Sequence, residues 1–171
     1  PTSMSALPRF WEKVYIAVKE KMDEANPMQR KLFNHALKIG RKYNIEYLSR
    51  GKRPPLALKI EYAALNKSVL SLVRKQLGLE HPNIFPTAGA TVSPEVEEFV
   101  HSIGIFMIVG YGLTESLATV SCDIKGMPYT IGSVGRPLDG VDIKIGDNNE
   151  ILLKGPTITK GYFHRDGLNK Q

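Results

Sequence analysis

The chain has 171 residues, 42% hydrophobic and 23% charged, a balance that can bury a core and excludes compositional disorder. No apolar run is long enough to span a bilayer, and no basic start followed by an apolar stretch marks a secretory signal. A single cysteine, Cys122, excludes an internal disulfide and lacks the spaced partners of a zinc site, so a cytoplasmic setting is expected. The net charge of +6 is uneven: residues 1 to 75 hold 16 Lys+Arg against 6 Asp+Glu, and residues 76 to 171 hold 7 against 11. These charges are spread rather than blocked, which favours the solvated faces of helices over a nucleic-acid surface and leaves peripheral contact with anionic lipid as an alternative.

From Pro8, the residues Trp11, Val14, Tyr15, Val18 and Met22 recur at three- and four-residue intervals, predicting an amphipathic helix with its aromatics in the core. A second helix is expected from Pro27 through Leu32, Phe33, Ala36 and Leu37, ended by Gly40; His35 within it has no second ligand at helical spacing and reads as structural. Leu48 to Pro55, rich in basic residues, glycine and proline, reads as a loop and lacks the GxxxxGK[ST] pattern of a phosphate loop. Asn66 to Leu77 predicts a third helix through Val69, Leu70, Val73 and Leu77, closed by Gly78.

At Asn83 the period changes. Ile84-Phe85 reads as a short strand entering the small-residue loop Pro86 to Thr91. Ser93-Pro94-Glu95 then starts a helix, with a hydroxyl to cap it, proline in the first turn and an acid at the positive end. That helix runs through Val96, Phe99, Val100 and Ile103 to Gly104. Ile105 to Val109 is a buried strand, with Gly110 ending it. The three elements make a βαβ unit with parallel strands, which brings Ala88-Gly89-Ala90 beside Tyr111-Gly112. Beyond Ser116 the pattern is β-like: Ala118 to Ser121, Val141 to Ile145 and Glu150 to Lys154, with a hairpin turn at Gly146 to Asn149. The fold class is therefore α/β. Residues 1–82 read as a helical region, 83–116 as the βαβ unit and 117–171 as a β-rich segment.

Chemistry concentrates at Tyr111-Gly112-Leu113-Thr114-Glu115-Ser116, past a buried strand, where open α/β sheets place ligands. Tyr111 offers a flat ring and Gly112 a close approach for a planar group. Thr114 offers a hydroxyl for a phosphate oxygen, and Glu115 a hard carboxylate of the kind that holds Mg²⁺ beside nucleotide phosphates. Together they suit a nucleotide. Singly, each also has a plain structural reading: a ring packed on the sheet, a turn cap and a solvated acid.

Tyr-Gly-Leu-Thr-Glu at 111 to 115, Ile-Gly-Ser-Val-Gly-Arg-Pro-Leu at 131 to 138 and Glu-Ile-Leu-Leu-Lys-Gly-Pro-Thr-Ile-Thr-Lys-Gly-Tyr at 150 to 162 resemble the ordered core motifs of adenylate-forming (AMP-binding) enzymes. The loop at 88 to 91 is similar to the family's Gly-Gly-Ala-Pro motif, with Ala88 at the first glycine and Thr91 at the proline. Leu7 to Tyr15 resembles a segment of the long-chain fatty-acid–CoA ligases, at the start of their helical insertion. The resemblance implies that the chain is an internal fragment of the large N-terminal domain of such an enzyme. It implies activation of a fatty acid with ATP to acyl-adenylate, then transfer to coenzyme A. Tyr111, Gly89 and Ala90 would line the adenine pocket, Gly112 would leave room for the acyl carboxylate, Thr114 would bind the α-phosphate and Glu115 would hold Mg²⁺. Arg136 and Lys160 are as compatible with loop or surface roles as with substrate contact. The family's lysine-bearing phosphate loop, ribose-binding Tyr-x-Thr-Gly-Asp element and C-terminal lid are not in this sequence, so the fragment is expected to be inactive alone. The alternatives are an acyl-carrier-protein ligase, a peptide-synthetase adenylation domain, or a non-catalytic basic binding module.

Overall fold

A computed structural model describes residues 1–169 of the protein; Lys170 and Gln171, the end of the expected β-rich segment, lie outside the described residues. Helix α1, Pro8–Glu24, opens on a proline, whose missing N–H would have had no intrahelical partner there. Trp11, Val14 and Val18 form its buried face, with Tyr15 and Met22 packed beside them, as the spacing predicts. Asn26 caps α2, Pro27–Arg41, accepting from the Gln29 N–H at 2.8 Å. His35 bonds Glu61 at 3.0 Å.

Gly40 does not end α2. The helix runs on to Arg41 and through a wide π turn at Lys42–Tyr47. The glycine is there for packing, because a Cβ at this position would lie 2.0 Å from the Ser102 carbonyl oxygen. The third helix also begins earlier than its periodicity indicates. It starts as α3, Leu56–Leu65, directly after Pro54-Pro55, passes a π turn at Asn66–Leu70 and continues as α4, Ser71–Gln76. Only Leu58 of α3 is buried, while Leu56 and Ile60 are exposed, so no one-sided stripe marks it. The end at Gly78, in the left-handed region with φ +70°, is as expected.

Strand β1, Phe85–Thr87, pairs in parallel with β2, Met107–Leu113, in the register Phe85–Met107, Pro86–Ile108 and Thr87–Val109. Helix α5, Pro94–Ser102, makes the crossover and buries Val96, Phe99 and Val100, with Ile103 just past its end. Ser93 occupies the capping position but its side chain makes no cap bond. At the other end the buried Arg74 donates through Nη1 to the Ile103 carbonyl at 2.6 Å, supplying a partner that α5 itself cannot.

Gly110 does not end β2. At that residue the strand exchanges its parallel partner for an antiparallel one, β3, Ala118–Cys122, and continues to Leu113. The two-residue strand β4, Arg136–Pro137, follows β3, giving the order β1-β2-β3-β4. Strands β5, Asp142–Ile145, and β6, Ile151–Lys154, form a separate antiparallel hairpin around the turn at Asp147–Asn149. The N-terminal segment lies along β1: Ala6 donates to the Pro86 carbonyl at 3.0 Å, and Asn83 to that of Thr2 at 2.9 Å.

One apolar core joins α1, α2, α4 and α5 to β1 and β2. At its centre Trp11 is fully buried, edge-on to Phe85 at 5.7 Å, with its indole N–H donating to Thr87 Oγ1 at 2.8 Å. No helix among the described residues is long and apolar enough to cross a membrane.

Candidate nucleotide site

The β1–β2 register brings the loop after β1 beside the end of β2, as the βαβ reading requires. Gly89, Ala90 and Thr91 form one side of a cleft of about 320 Å³; Gly110, Tyr111, Gly112 and Leu113 form another, and Gly132, Ser133 and Val134 a third. Gly89 has φ +91°, a conformation that glycine adopts without strain. Tyr111 is half-buried.

Gly112 sits beside a β-bulge: the register passes from Tyr111–Ser121 to Gly112–Thr119, leaving Val120 as the extra residue of β3. A Cβ on Gly112 would lie 1.6 Å from the Ala118 carbonyl oxygen. The backbone of β3 therefore requires glycine at this position, and the close approach it permits is first of all to that strand.

Thr114 and Glu115 stand beyond Leu113 on a single 3₁₀ turn, Thr114–Ser116, outside the lining of the cleft. The turn is pinned by Ser116, whose buried hydroxyl accepts from the Leu113 N–H and is within 2.9 Å of the Leu113 and Ala118 carbonyls. Leu117 and Ala118 follow with φ 51° and 94°, a strained exit that this pinning supports. The Thr114 hydroxyl is exposed.

Glu115 carries a contact that sequence reasoning missed. Tyr162 donates its phenolic proton to Glu115 Oε1 at 2.6 Å, and the Thr159 N–H donates to the Glu115 carbonyl at 2.7 Å. The phenol, followed by a backbone N–H, holds the Glu115 carboxyl below the usual range, and the same bond raises Tyr162. The signal in the sequence is the Lys-Gly-Tyr ending of the motif at 150 to 162, in which Tyr162 has no role that local patterning reveals. Arg136 and Lys160 are exposed and outside the cleft lining.

An ionised carboxylate at the end of a strand can hold a divalent cation that takes its remaining ligands from water and phosphate. Among the described residues no group of three or more His, Cys, Asp or Glu could hold a metal by itself. Glu115 thus fits a cation shared with a polyphosphate, and the described residues form no all-protein cage.

A parallel strand pair with a glycine loop on one strand and Tyr-Gly-Leu-Thr-Glu on the other defines a class, and comparison with known proteins agrees: residues 1–163 match the model of the AMP-binding enzyme family, to which the chain belongs. Among curated relatives, it is 26% identical to long chain acyl-CoA synthetase 3 of Arabidopsis thaliana, over 100% of this chain and 26% of that protein. It is 28% identical to the long-chain-fatty-acid–CoA ligase FadD15 of Mycobacterium bovis, over 97% of this chain and 27% of that one. The chain thus spans about a quarter of the length of these relatives. Among solved structures, the o-succinylbenzoate–coenzyme A synthetase of Bacillus subtilis in complex with ATP and magnesium ion superposes with a TM-score of 0.53. That match has 18% identity and covers 99% of this chain and 26% of that one; it is a likeness of fold.

Proposed function

We propose that the chain is part of the large AMP-binding domain of a long-chain fatty-acid–CoA ligase. The observation that carries this reading is the single cleft shared by Gly89-Ala90 and Tyr111-Gly112, with the ionised Glu115 two residues beyond its Leu113 lining. In the parent enzyme a fatty-acid carboxylate attacks the α-phosphate of ATP, forming acyl-adenylate and releasing pyrophosphate. The thiol of coenzyme A then attacks the acyl carbon and AMP leaves.

Tyr111 flanks the adenine ring and the Gly89-Ala90 backbone lines its pocket. Gly112 leaves the end of β2 bare for the acyl carboxylate. The exposed Thr114 hydroxyl donates to an α-phosphate oxygen, and Glu115 holds Mg²⁺. When bound, that ion neutralises charge on the phosphates and stabilises negative charge developing at phosphorus. Tyr162 orients Glu115 and favours its charged form. The relatives' names support the fatty-acid substrate. The reading sets the parent enzyme in the cytoplasm, with its basic helical face available to anionic lipid. It needs a phosphate loop and a lid from other parts of that enzyme, so these 171 residues alone have no activity.

The test is ATP–pyrophosphate exchange dependent on a fatty acid. The parent enzyme exchanges, the isolated chain does not, and Glu115→Gln in the parent lowers exchange by about 10²-fold or more. Full exchange by that variant would sink the role given to Glu115. Product analysis with coenzyme A against acyl carrier protein decides the acceptor.

A further inference from the structure

Glu97, itself in the lining of the cleft, belongs to a set of polar side chains that the proposed chemistry does not use. Glu97 on α5 is fully buried and His101, one turn on, is 2% exposed; Asp123, just past β3, is 4% exposed. Glu97 Oε2 accepts from the Gly132 N–H at 2.9 Å. The Tyr129 hydroxyl meets His101 Nδ1 at 3.0 Å, with the two rings stacked at 4.7 Å. When the phenol donates to Nδ1, a neutral imidazole carries its proton on Nε2. That nitrogen faces Glu97 Oε1 at 4.0 Å, and neither atom has a hydrogen-bond partner. Ser121 Oγ and Asp123 Oδ2 are also unpartnered. A line of polar groups therefore runs from Tyr129 through His101 and Glu97 to Gly132, with one open joint. Its last member, Gly132, lines the same cleft as Tyr111.

Leaving one carboxylate oxygen and an imidazole nitrogen unpaired in a core is costly, and an apolar pair would pack there without that cost. What the arrangement supplies is a charge-assisted hold on one loop. We propose that Glu97 is a positioning residue for the candidate site: its carboxylate holds the Ile131–Val134 loop as one wall of the cleft that Tyr111 and Gly112 also line, and proton uptake at that carboxylate loosens the wall. The link to ligand binding rests on the nucleotide reading of the cleft. The hold on Gly132 does not.

The groups that face Glu97 are His101 on its own helix, Asp123 after β3 and Tyr129 in the following loop. Burial pushes the Glu97 carboxyl up to about 7, the Gly132 N–H opposes this and the Asp123 charge adds to it. Burial pushes Asp123 to about 6 and lowers His101 to about 4, while Tyr129 is raised and stays protonated. Arg41 and Tyr15, from α2 and α1, engage other residues of α5, Glu98 and Glu95.

The amide resonance of Gly132, followed in this chain from pH 5.5 to 8.5, is expected to move with a midpoint near 7. In Glu97→Gln, which keeps an acceptor but cannot titrate, it should be flat. In Asp123→Asn, which removes the neighbouring negative charge, the midpoint should fall. A Gly132 response that is absent from the wild type, or that persists in Glu97→Gln, overturns the proposal. Adenosine, which has no titrating phosphate, is the ligand probe, read on the Tyr111 resonances. Wild-type affinity should be severalfold higher at pH 8.5 than at pH 6, and that ratio should be near one in Glu97→Gln. Equal wild-type affinity at both pH values overturns the positioning role. Lack of any Tyr111 response to adenosine in the wild type counts against the nucleotide reading, and the Gly132 titration then decides the hold by itself.

Discussion

Tyr162 and Glu115 are 47 positions apart in sequence, yet the Tyr162 phenol donates to the Glu115 carboxylate at 2.6 Å. The bond ties the motif at 150 to 162 to the end of β2. Tyr162→Phe should raise the Glu115 carboxyl toward its ordinary value, since the donor removed favours the charged form. A carbon-detected titration of Glu115 in wild type and variant measures this, and an unchanged midpoint would contradict it. Both groups are at the surface, so the variant should unfold at nearly the same urea concentration as the wild type.

Gly112→Ala is expected to be severely destabilising, on the order of 3 kcal/mol or more, because the added methyl overlaps the Ala118 carbonyl in a backbone that cannot yield locally. Gly167→Ala is its control: nothing lies within 4 Å of that Cβ position and the residue is not in the left-handed region. Urea denaturation of the pair should separate them clearly. A Gly112→Ala variant of wild-type stability would mean that the bulge does not have this geometry.

Trp11→Phe removes the donor to a buried hydroxyl and leaves a space where the indole was. A loss of roughly 2–3 kcal/mol follows from an unsatisfied Thr87 Oγ1 plus the cavity. Coupling can be read from the double variant Trp11→Phe, Thr87→Val, in which the second change should recover part of that loss.

Stability should respond to pH through three groups, two of which oppose the third. Glu97, raised in the folded state to about 7, contributes stability that is present at low pH and is lost as pH rises from its ordinary value toward 7; Asp123 acts in the same direction up to about 6. His101, lowered to about 4, contributes stability that is lost as pH falls from 6.5 toward 4. Glu97→Gln is therefore expected to gain on the wild type between pH 5 and pH 8, by on the order of 2 kcal/mol. Denaturant midpoints at the two pH values give the difference, and a gap that does not widen would refute the assignment.

Much of this arrangement was legible in the sequence where a local rule and the tertiary structure agree. The stripe of α1, the proline starts, the glycine stop at Gly78 and the βαβ crossover all follow from periodicity and backbone chemistry, and they place the 88 to 91 loop beside Tyr111. The misses have a common cause. Gly40 and Gly110 look like stops, but one serves a contact with Ser102 and the other lies within a strand that changes partner. Helix α3 has no clean apolar face, and Arg74, Glu97 and His101 are polar residues whose burial depends on partners 28 to 35 positions away. Tyr162 reaches Glu115 through a fold that its own neighbours do not encode.

The position of residues 2 to 6 bears on how this sheet avoids its own kind. Strand β1 is outermost in the four-stranded sheet, and its free side would be a template for a second molecule. Here the Pro86 nitrogen has no proton to offer, and its carbonyl is taken by Ala6. Residues 2 to 6 act as a guard on that border. With them displaced, the border of β1 would be open to pairing with another strand while the helices stay in place.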